Sequence, residues 1–326
     1  MRIQDGLISI FCLSILSAVA FGDDERKLEG HERELYAVAY SADGSSIVSA
    51  ANDRTIRVWS ASRGTHVIIK TGYGASRTAS ISPDGSLVAG RFETGLAVRN
   101  AKTGERIAPL VGDASADGTV LRVLFSPNGK TIVSGHERGT VRIWNVNSLK
   151  NVGELRRAKT SSDSHRVQCI AFLPDDQLAV GYDHALVIWS LRTSAELQEL
   201  SDMSTQSIYY IKQSNIMIAN QQGNVGNVRI WNRADWANVF TADQKERSEN
   251  FLTSLTPIDS RLAIGVNDQG DFESFDLVGQ RRTNKTFRTP YKLAPGGFAI
   301  SPSGQQVANY FGGNLYQIHL QPIDFK

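Results

Sequence analysis

Cysteine is nearly absent from this chain, with only Cys12 and Cys169 in 326 residues. Cys12 lies in an N-terminal apolar run that reads as removable, so no intramolecular disulfide is expected and the core must hold the fold. A large closed domain can do this, because the buried fraction of its surface rises with size. Cys169, within the strand-like run Val167 to Phe172, reads as a small buried apolar residue. The spacings that announce chemistry are missing as well. There is no GxSxG turn, phosphate loop, CxxC pair or EF-hand loop. His31-Glu32 and His136-Glu137 begin like HExxH, but Leu35 and Thr140 stand where the second His is needed. No catalytic, cofactor or metal residue is assigned. Asp113 and Asp117-Gly118 read as a solvated turn rather than a cation site, for want of a third spaced carboxylate. The net charge of +2 gives no field that would make nucleic acid the principal partner.

Present instead is a short turn that recurs: Ser41-Ala42-Asp43-Gly44, Ser82-Pro83-Asp84-Gly85, Ser126-Pro127-Asn128-Gly129, Leu173-Pro174-Asp175-Asp176 and Ser301-Pro302-Ser303-Gly304. Its first residues are 41, 44, 47 and then 128 positions apart, and the last gap fits three further intervals. Two unmarked turns are placed at Ile211 to Asn215 and Thr256 to Ser260, giving seven units. In these turns Pro presets φ, Asp or Asn tolerates the bridge region and Gly accepts positive φ. Period-two alternation flanks them, as in Tyr36, Val38 and Tyr40, and helical spacing is absent. Four short antiparallel strands per unit, seven times over, predict an all-β, seven-bladed propeller over residues 21–326.

The stretches LEGH (Leu28 to His31) and SAANDRTIRVWS (Ser49 to Ser60) resemble one full repeat of the WD-repeat family, as in the G-protein β-subunit. SGHERGTVRIWN (Ser134 to Asn145), GYDHALVIWS (Gly181 to Ser190) and GNVRIWN (Gly226 to Asn232) are similar to parts of others. ESFDL (Glu273 to Leu277) looks like a worn copy with Phe275 in the Trp place. The resemblance implies a buried tetrad that pins the loop leading into a blade. In the first repeat it falls on His31, Ser49, Asp53 and Trp59. The fourth has His165, Asp183 and Trp189, with Ala179 in the hydroxyl place. The third keeps Ser134 and Trp144 with Arg138 in the Asp place, the second puts Glu93 and Arg99 in the Asp and Trp places, and the fifth keeps Trp231 alone. The seventh, ending near Gln317 to His319, does not align.

The function the resemblance implies is a non-enzymatic scaffold that presents loops to a protein or peptide. Asn52, Phe92, Glu137, Tyr182, Asn224 and Asp268 are the candidate partner-binding residues on one rim, with Phe92 and Tyr182 as anchors because aromatic rings give much contact area at small entropic cost. One alternative is a hydrolase or lyase with a site in the central channel. The other is a polyanion-binding module using the basic stretch 281–292, whose bland reading is an outer strand guarded by charge. Asn284-Lys285-Thr286 is a glycosylation sequon. Residues 1–20 read as a secretory signal, with the apolar run Leu7 to Ala20 and a small-x-small site at Ala18 to Ala20. The protein is accordingly expected to be exported, to a periplasm or beyond, as a monomer without a membrane span. Asp24 to Leu28 is expected to donate the strand that closes the ring.

Overall fold

The computed structural model describes residues 26–72, 77–92, 95–110, 117–157, 165–201, 204–221, 228–241, 255–266, 272–279, 281–287, 295–311 and 316–323. The expected signal segment lies outside them. The described residues form seven four-stranded antiparallel sheets, the blades of a seven-bladed β-propeller. In blade one the order from axis to edge is Leu35–Tyr40, Ser46–Ala51, Thr55–Ser60 and His66–Lys70. The inner strands of blades two to seven are Ala79–Ile81, Val120–Phe125, Val167–Leu173, Thr205–Ile211, Leu255–Pro257 and Pro295–Ile300. No helix among the described residues is long and apolar enough to cross a membrane.

The recurrent turn works as its sequence predicts. In blade one the Ser41 N–H donates to the Ser46 carbonyl (2.9 Å) and the Gly44 N–H to the Ser41 carbonyl (2.9 Å), while the Ser41 hydroxyl donates to Asp43 (2.5 Å). Ser82 with Asp84 and Ser126 with Asn128 repeat the pattern. Gly44, Gly85, Gly129 and Gly304 have φ of 72°, 69°, 69° and 69°, where a side chain would be strained. Blade four closes the same turn with Asp176 at φ 54°, a conformation Asp tolerates better than most residues. The unmarked turns fall at 212–215 and 258–261, between the first two strands of blades five and six.

Each contact between neighbouring blades has its own apolar cluster, because no blade can bury both faces alone. Between blades three and four, Val133, Val141 and Ile143 meet Leu178, Val180, Val187 and Trp189. Hydroxyls add stitches near the axis, where Val123 N–H donates to Thr78 Oγ1 (3.0 Å) and Phe125 N–H to Ser80 Oγ (3.1 Å). The ring is closed by Arg26–Leu28, which pairs antiparallel with Ile318–Leu320 as the outer strand of blade seven. Leu28, 1% exposed, sits among Ile47, Trp59 and Leu320 of the closing seam. The Arg26 guanidinium donates to the Ala61 and Ser62 carbonyls of blade one.

Outer strands carry irregularities of pairing at Arg106 to Ala108, Asn151 to Gly153, Glu196 to Gln198 and Asn238 to Phe240. Bulges there interrupt the free edges of blades two to five and disfavour edge-to-edge association. The basic stretch begins in Arg281–Phe287, the outer strand of blade six, with Arg281 exposed. Arg288 and Lys292 lie outside the described residues, and Asn284 lies within the strand.

Candidate binding face

Inner strands begin at the face that also carries the turns between second and third strands. In blade one this face is pinned from within. Gly30 holds φ 146°, a conformation that L side chains rarely adopt, beside the Arg57 guanidinium, and so lets the chain turn and deliver His31. Trp59 Nε1–H donates to Ser49 Oγ (2.8 Å), Ser49 lies 2.7 Å from His31 Nε2, and His31 Nδ1 lies 2.7 Å from Asp53 Oδ2. One direction satisfies every proton: indole to hydroxyl, hydroxyl to a neutral imidazole, and imidazole Nδ1–H to carboxylate. Burial lowers the His31 pKa against the raising pull of Asp53, which keeps the ring neutral. Burial works against the Asp53 charge, but hydrogen bonds from His31, Thr55 and Glu32 N–H outweigh it and hold the carboxyl at about 2. His66 tilts onto Trp59 at 4.3 Å and meets Arg57 at 2.9 Å.

Blade three reaches a similar end with the charges moved. Trp144 donates to Ser134 Oγ (2.9 Å), and the ring beside that hydroxyl is His136, 2.9 Å away. The carboxylate is Asp117, from the loop leading into the blade. It accepts from Thr140 (3.1 Å), from Arg142 Nε (2.8 Å) and Nη2, and from Arg156 (2.8 Å). Asp117 is therefore not the solvated turn residue expected from sequence but a buried one, 2% exposed. Burial alone would raise its pKa, yet these donors hold it below the ordinary carboxylate range. Two arginines occupy its oxygens, which leaves it unsuited to a cation, and Asp113 lies outside the described residues. Arg138, in the place sequence alignment gave to Asp, is exposed and donates its backbone N–H to the Asp117 carbonyl (3.1 Å).

Strand register explains both the likeness and a correction. Ile47 pairs with Trp59 and Ile132 with Trp144, whereas in blade four Leu178 pairs with Trp189 and in blade two Val88 pairs with Arg99. In blade one three residues, 52–54, separate Ala51 from Thr55, and in blade three 137–139 separate His136 from Thr140, whose carbonyl accepts from the His136 N–H (2.9 Å). In blades two and four only two residues separate the paired ends of these strands, Phe92 from Gly95 and Tyr182 from Ala185. The shorter turn moves the second strand by one residue relative to the third, so Val180, not Ala179, faces the same way as Ser49. Ala179 instead joins the cluster toward blade five. Ala51, His136 and Tyr182 occupy one position, fixed by their pairing with Leu35, Val120 and Val167, and the shared register adds Phe92.

That position borders a single space beside the Trp-bearing strand. In blade one the residue is small, Ala51, and His31 enters from the loop. In the other three blades the strand itself supplies a ring: Phe92, His136 and Tyr182. Phe92 and Tyr182 are consequently 5% and 0% exposed, not the rim anchors their place beside the turn predicted. Arg99 lies over the Phe92 ring at 4.4 Å, and Tyr182 packs in one cluster with Trp189. His165 is half-buried in the loop leading into blade four, with its Nε2 lacking a hydrogen-bond partner among the described residues. Asp183 instead accepts from Gln168 of the same blade. In blade seven Gln321 takes the Trp place and Asn309 donates to it (3.3 Å).

Of the rim residues read from sequence, Asn52 and Glu137 are half-buried in their turns, and Glu137 pairs with Arg166 at 3.2 Å. Asn224, Asp268 and Glu93 lie outside the described residues. Toward the opposite end of the channel is a cavity of about 230 Å³, lined by Val38, Tyr40, Ile81, Leu124, Tyr209 and Phe298 among others. Its lining includes no carboxylate, imidazole or thiol. Among the described residues, no group of three or more His, Cys, Asp and Glu could hold a metal ion. The Cys169 thiol is buried, with its pKa pushed up to about 12 by desolvation, and donates to the Thr205 carbonyl (3.1 Å).

Residues 22–60, 104–145 and 155–190 match the pattern described as WD domain, G-beta repeat. The chain is 29% identical over 149 residues to eukaryotic translation initiation factor 3 subunit I of Aspergillus fumigatus, covering 44% of this chain and 43% of that protein. It is 29% identical over 178 residues to autophagy-related protein 16 of Arabidopsis thaliana, covering 53% and 34%. With protein HIR1 of Yarrowia lipolytica it shares 25% identity over 199 residues, covering 56% and 17%. The chain thus spans less than half the length of each of these relatives.

Proposed function

We propose that this WD-repeat propeller is a non-catalytic platform that docks a protein or peptide on the face bearing the second-to-third-strand turns. The observation that carries the reading is the way this face is built. Buried networks around His31 and Asp117 fix its loops, while Arg54, Arg138 and His184 stand exposed at the turn tips. Rigid loops lose little entropy when a partner binds, and exposed polar tips supply specific contacts. A hydrolase or lyase in the channel would need acids, bases or a metal converging on the axis; the aliphatic, aromatic and hydroxyl lining of the axial cavity gives that reading no support. The relatives fit the first reading too, since one is by name a subunit of a larger factor. We place the platform in an exported compartment on the strength of the N-terminal apolar run, and as a monomer.

The test is affinity purification of the chain from its native host, followed by rebinding of the recovered protein in purified form. Asn52→Ala combined with Glu137→Ala should weaken rebinding while leaving the melting temperature within about 2 °C of the parent, as expected for surface changes. Undiminished rebinding would remove this rim.

A further inference from the structure

The inner strands of blades one, three, four, five and seven share a local irregularity. Their pairing with the second strand slips at Leu35/Ala37, Val120/Arg122, Val167/Cys169, Thr205/Ser207 and Pro295/Gly297. Each slip falls at the end of the strand on the proposed docking face. Bulges re-aim the side chains beside them and gather near functional sites. They also align the residues that follow: Ala37, Arg122, Cys169, Ser207 and Gly297 occupy equivalent places, paired with Ala50, Gly135, Gly181, Asn220 and Tyr310. Blade two contributes Thr78 by the same register.

This position faces the next blade. Thr78 accepts from Val123 N–H of blade three, and Cys169 donates to the Thr205 carbonyl of blade five. Close packing of inner strands explains why five of these six described residues are small. Arg122 alone breaks the pattern, which makes it the place where a packing rule yields to another demand.

Arg122 is half-buried and donates from Nη1 to its neighbour's carbonyl, Leu121 O, at 2.8 Å. Burial lowers its pKa, and the described groups acting on it are the Cys169 thiol of blade four and the Tyr310 phenol of blade seven, across the ring. Both are held neutral, each with its pKa pushed up to about 12 by burial. Glu34 is exposed and acts on Tyr310. The guanidinium thus lies near groups of blades four and seven, with no carboxylate partner among the described residues. A partly desolvated cation without a counter-charge is unfavourable and strongly attracts an anion. The same face carries exposed Arg33, Arg54 and Arg77, the last over the Tyr36 ring at 5.5 Å, with exposed Glu32 and Glu34 flanking Arg33.

We propose that the docked partner is an acidic protein segment, one of whose Asp or Glu side chains enters the axial mouth and pairs with Arg122 while its other carboxylates meet Arg33, Arg54 and Arg77. This rests on the platform reading and narrows its partner. The match of a planar guanidinium to a carboxylate permits two parallel hydrogen bonds. The net charge of +2 gives no field that would favour a nucleic acid in its place.

The experiment uses the full chain and a labelled peptide of alternating Glu and Gly, capped at both ends, with its Gln counterpart as control, followed by fluorescence anisotropy. The acidic peptide should bind, the Gln peptide should not, and Arg122→Gln should weaken binding about tenfold, or ~1.4 kcal/mol, without lowering the melting temperature. Arg281→Gln, in the outer strand of blade six, should leave binding unchanged. Equal binding of the two peptides, or full affinity in Arg122→Gln, overturns the proposal. So does loss of binding in Arg281→Gln with Arg122→Gln intact, which assigns the anion to the basic stretch. Preference for the same peptide with a free C-terminus and no internal Glu moves the carboxylate to a chain end and also overturns it. In each case the platform reading survives if the purified native partner still loses affinity on the Asn52 and Glu137 variants.

Discussion

Blades one and four have the same ten-position spacing from Ser49 to Trp59 and from Ala179 to Trp189, yet they place those residues differently. In blade one a three-residue turn puts Ser49 on the Trp59 face, and a hydrogen-bonded chain runs from the indole through His31 to Asp53. In blade four a two-residue turn shifts the strand by one position, so Val180 faces Trp189 and Tyr182 fills the space a histidine would occupy. The side-chain period of a strand is two, so one residue of slip exchanges core faces. A polar network and an aromatic plug are thus two solutions to one packing problem, and blade three combines them by growing its histidine from the strand.

The largest break in this comparison should come from blade three. Asp117→Asn leaves Arg142, 8% exposed, without its charge partner and should cost about 3–5 kcal/mol in urea unfolding. Next comes the aromatic plug. Tyr182→Ala and Phe92→Ala should each cost about 3 kcal/mol as core truncations, while Asn52→Ala stays within about 0.5 kcal/mol. A smaller contrast tests the register itself. Val180→Thr sets a hydroxyl beside Trp189 at nearly constant volume, whereas Ala179→Thr forces bulk into the blade four to five contact and should cost about 1–3 kcal/mol more. The smallest effect is on pH dependence. His31 and Asp53 both titrate below their unfolded values, so the stability each adds is present at neutral pH and lost on acidification. For His31 the loss begins as pH falls below 6.5, and for Asp53 between 3.8 and about 2. His31→Phe should flatten the stability profile over the upper of these windows in pH-dependent melts.

Much of the fold was legible because its punctuation is local. A Ser-Pro-Asp-Gly turn needs only its own residues, and four copies at similar intervals, with a fifth about three intervals further on, fix the number of blades and the period of the array. The tetrad partners of blade one were legible for the same reason, since Gly30-His31 and Asn52-Asp53 keep an intact pattern. The roles of Phe92, Tyr182 and Asp117 were not. Phe92 and Tyr182 depend on whether a turn holds two residues or three, which counting back from Trp cannot decide. Asp117 stands three residues before Val120 whereas His31 stands four before Leu35, so its spacing carries no matching signal, and its arginine partners lie 25 and 39 positions onward. Arg122 stood out only once strand pairing had aligned it with Ala37, Thr78, Cys169, Ser207 and Gly297.

The most direct test of one space filled in two ways is the melting temperature of His31→Ala set beside that of His165→Ala. The account predicts a fall for His31→Ala corresponding to about 2 kcal/mol, since a buried hydroxyl and carboxylate lose their shared partner, and little change for His165→Ala, because Tyr182 already fills blade four. Equal losses in the two variants, or a greater loss at His165, would contradict it.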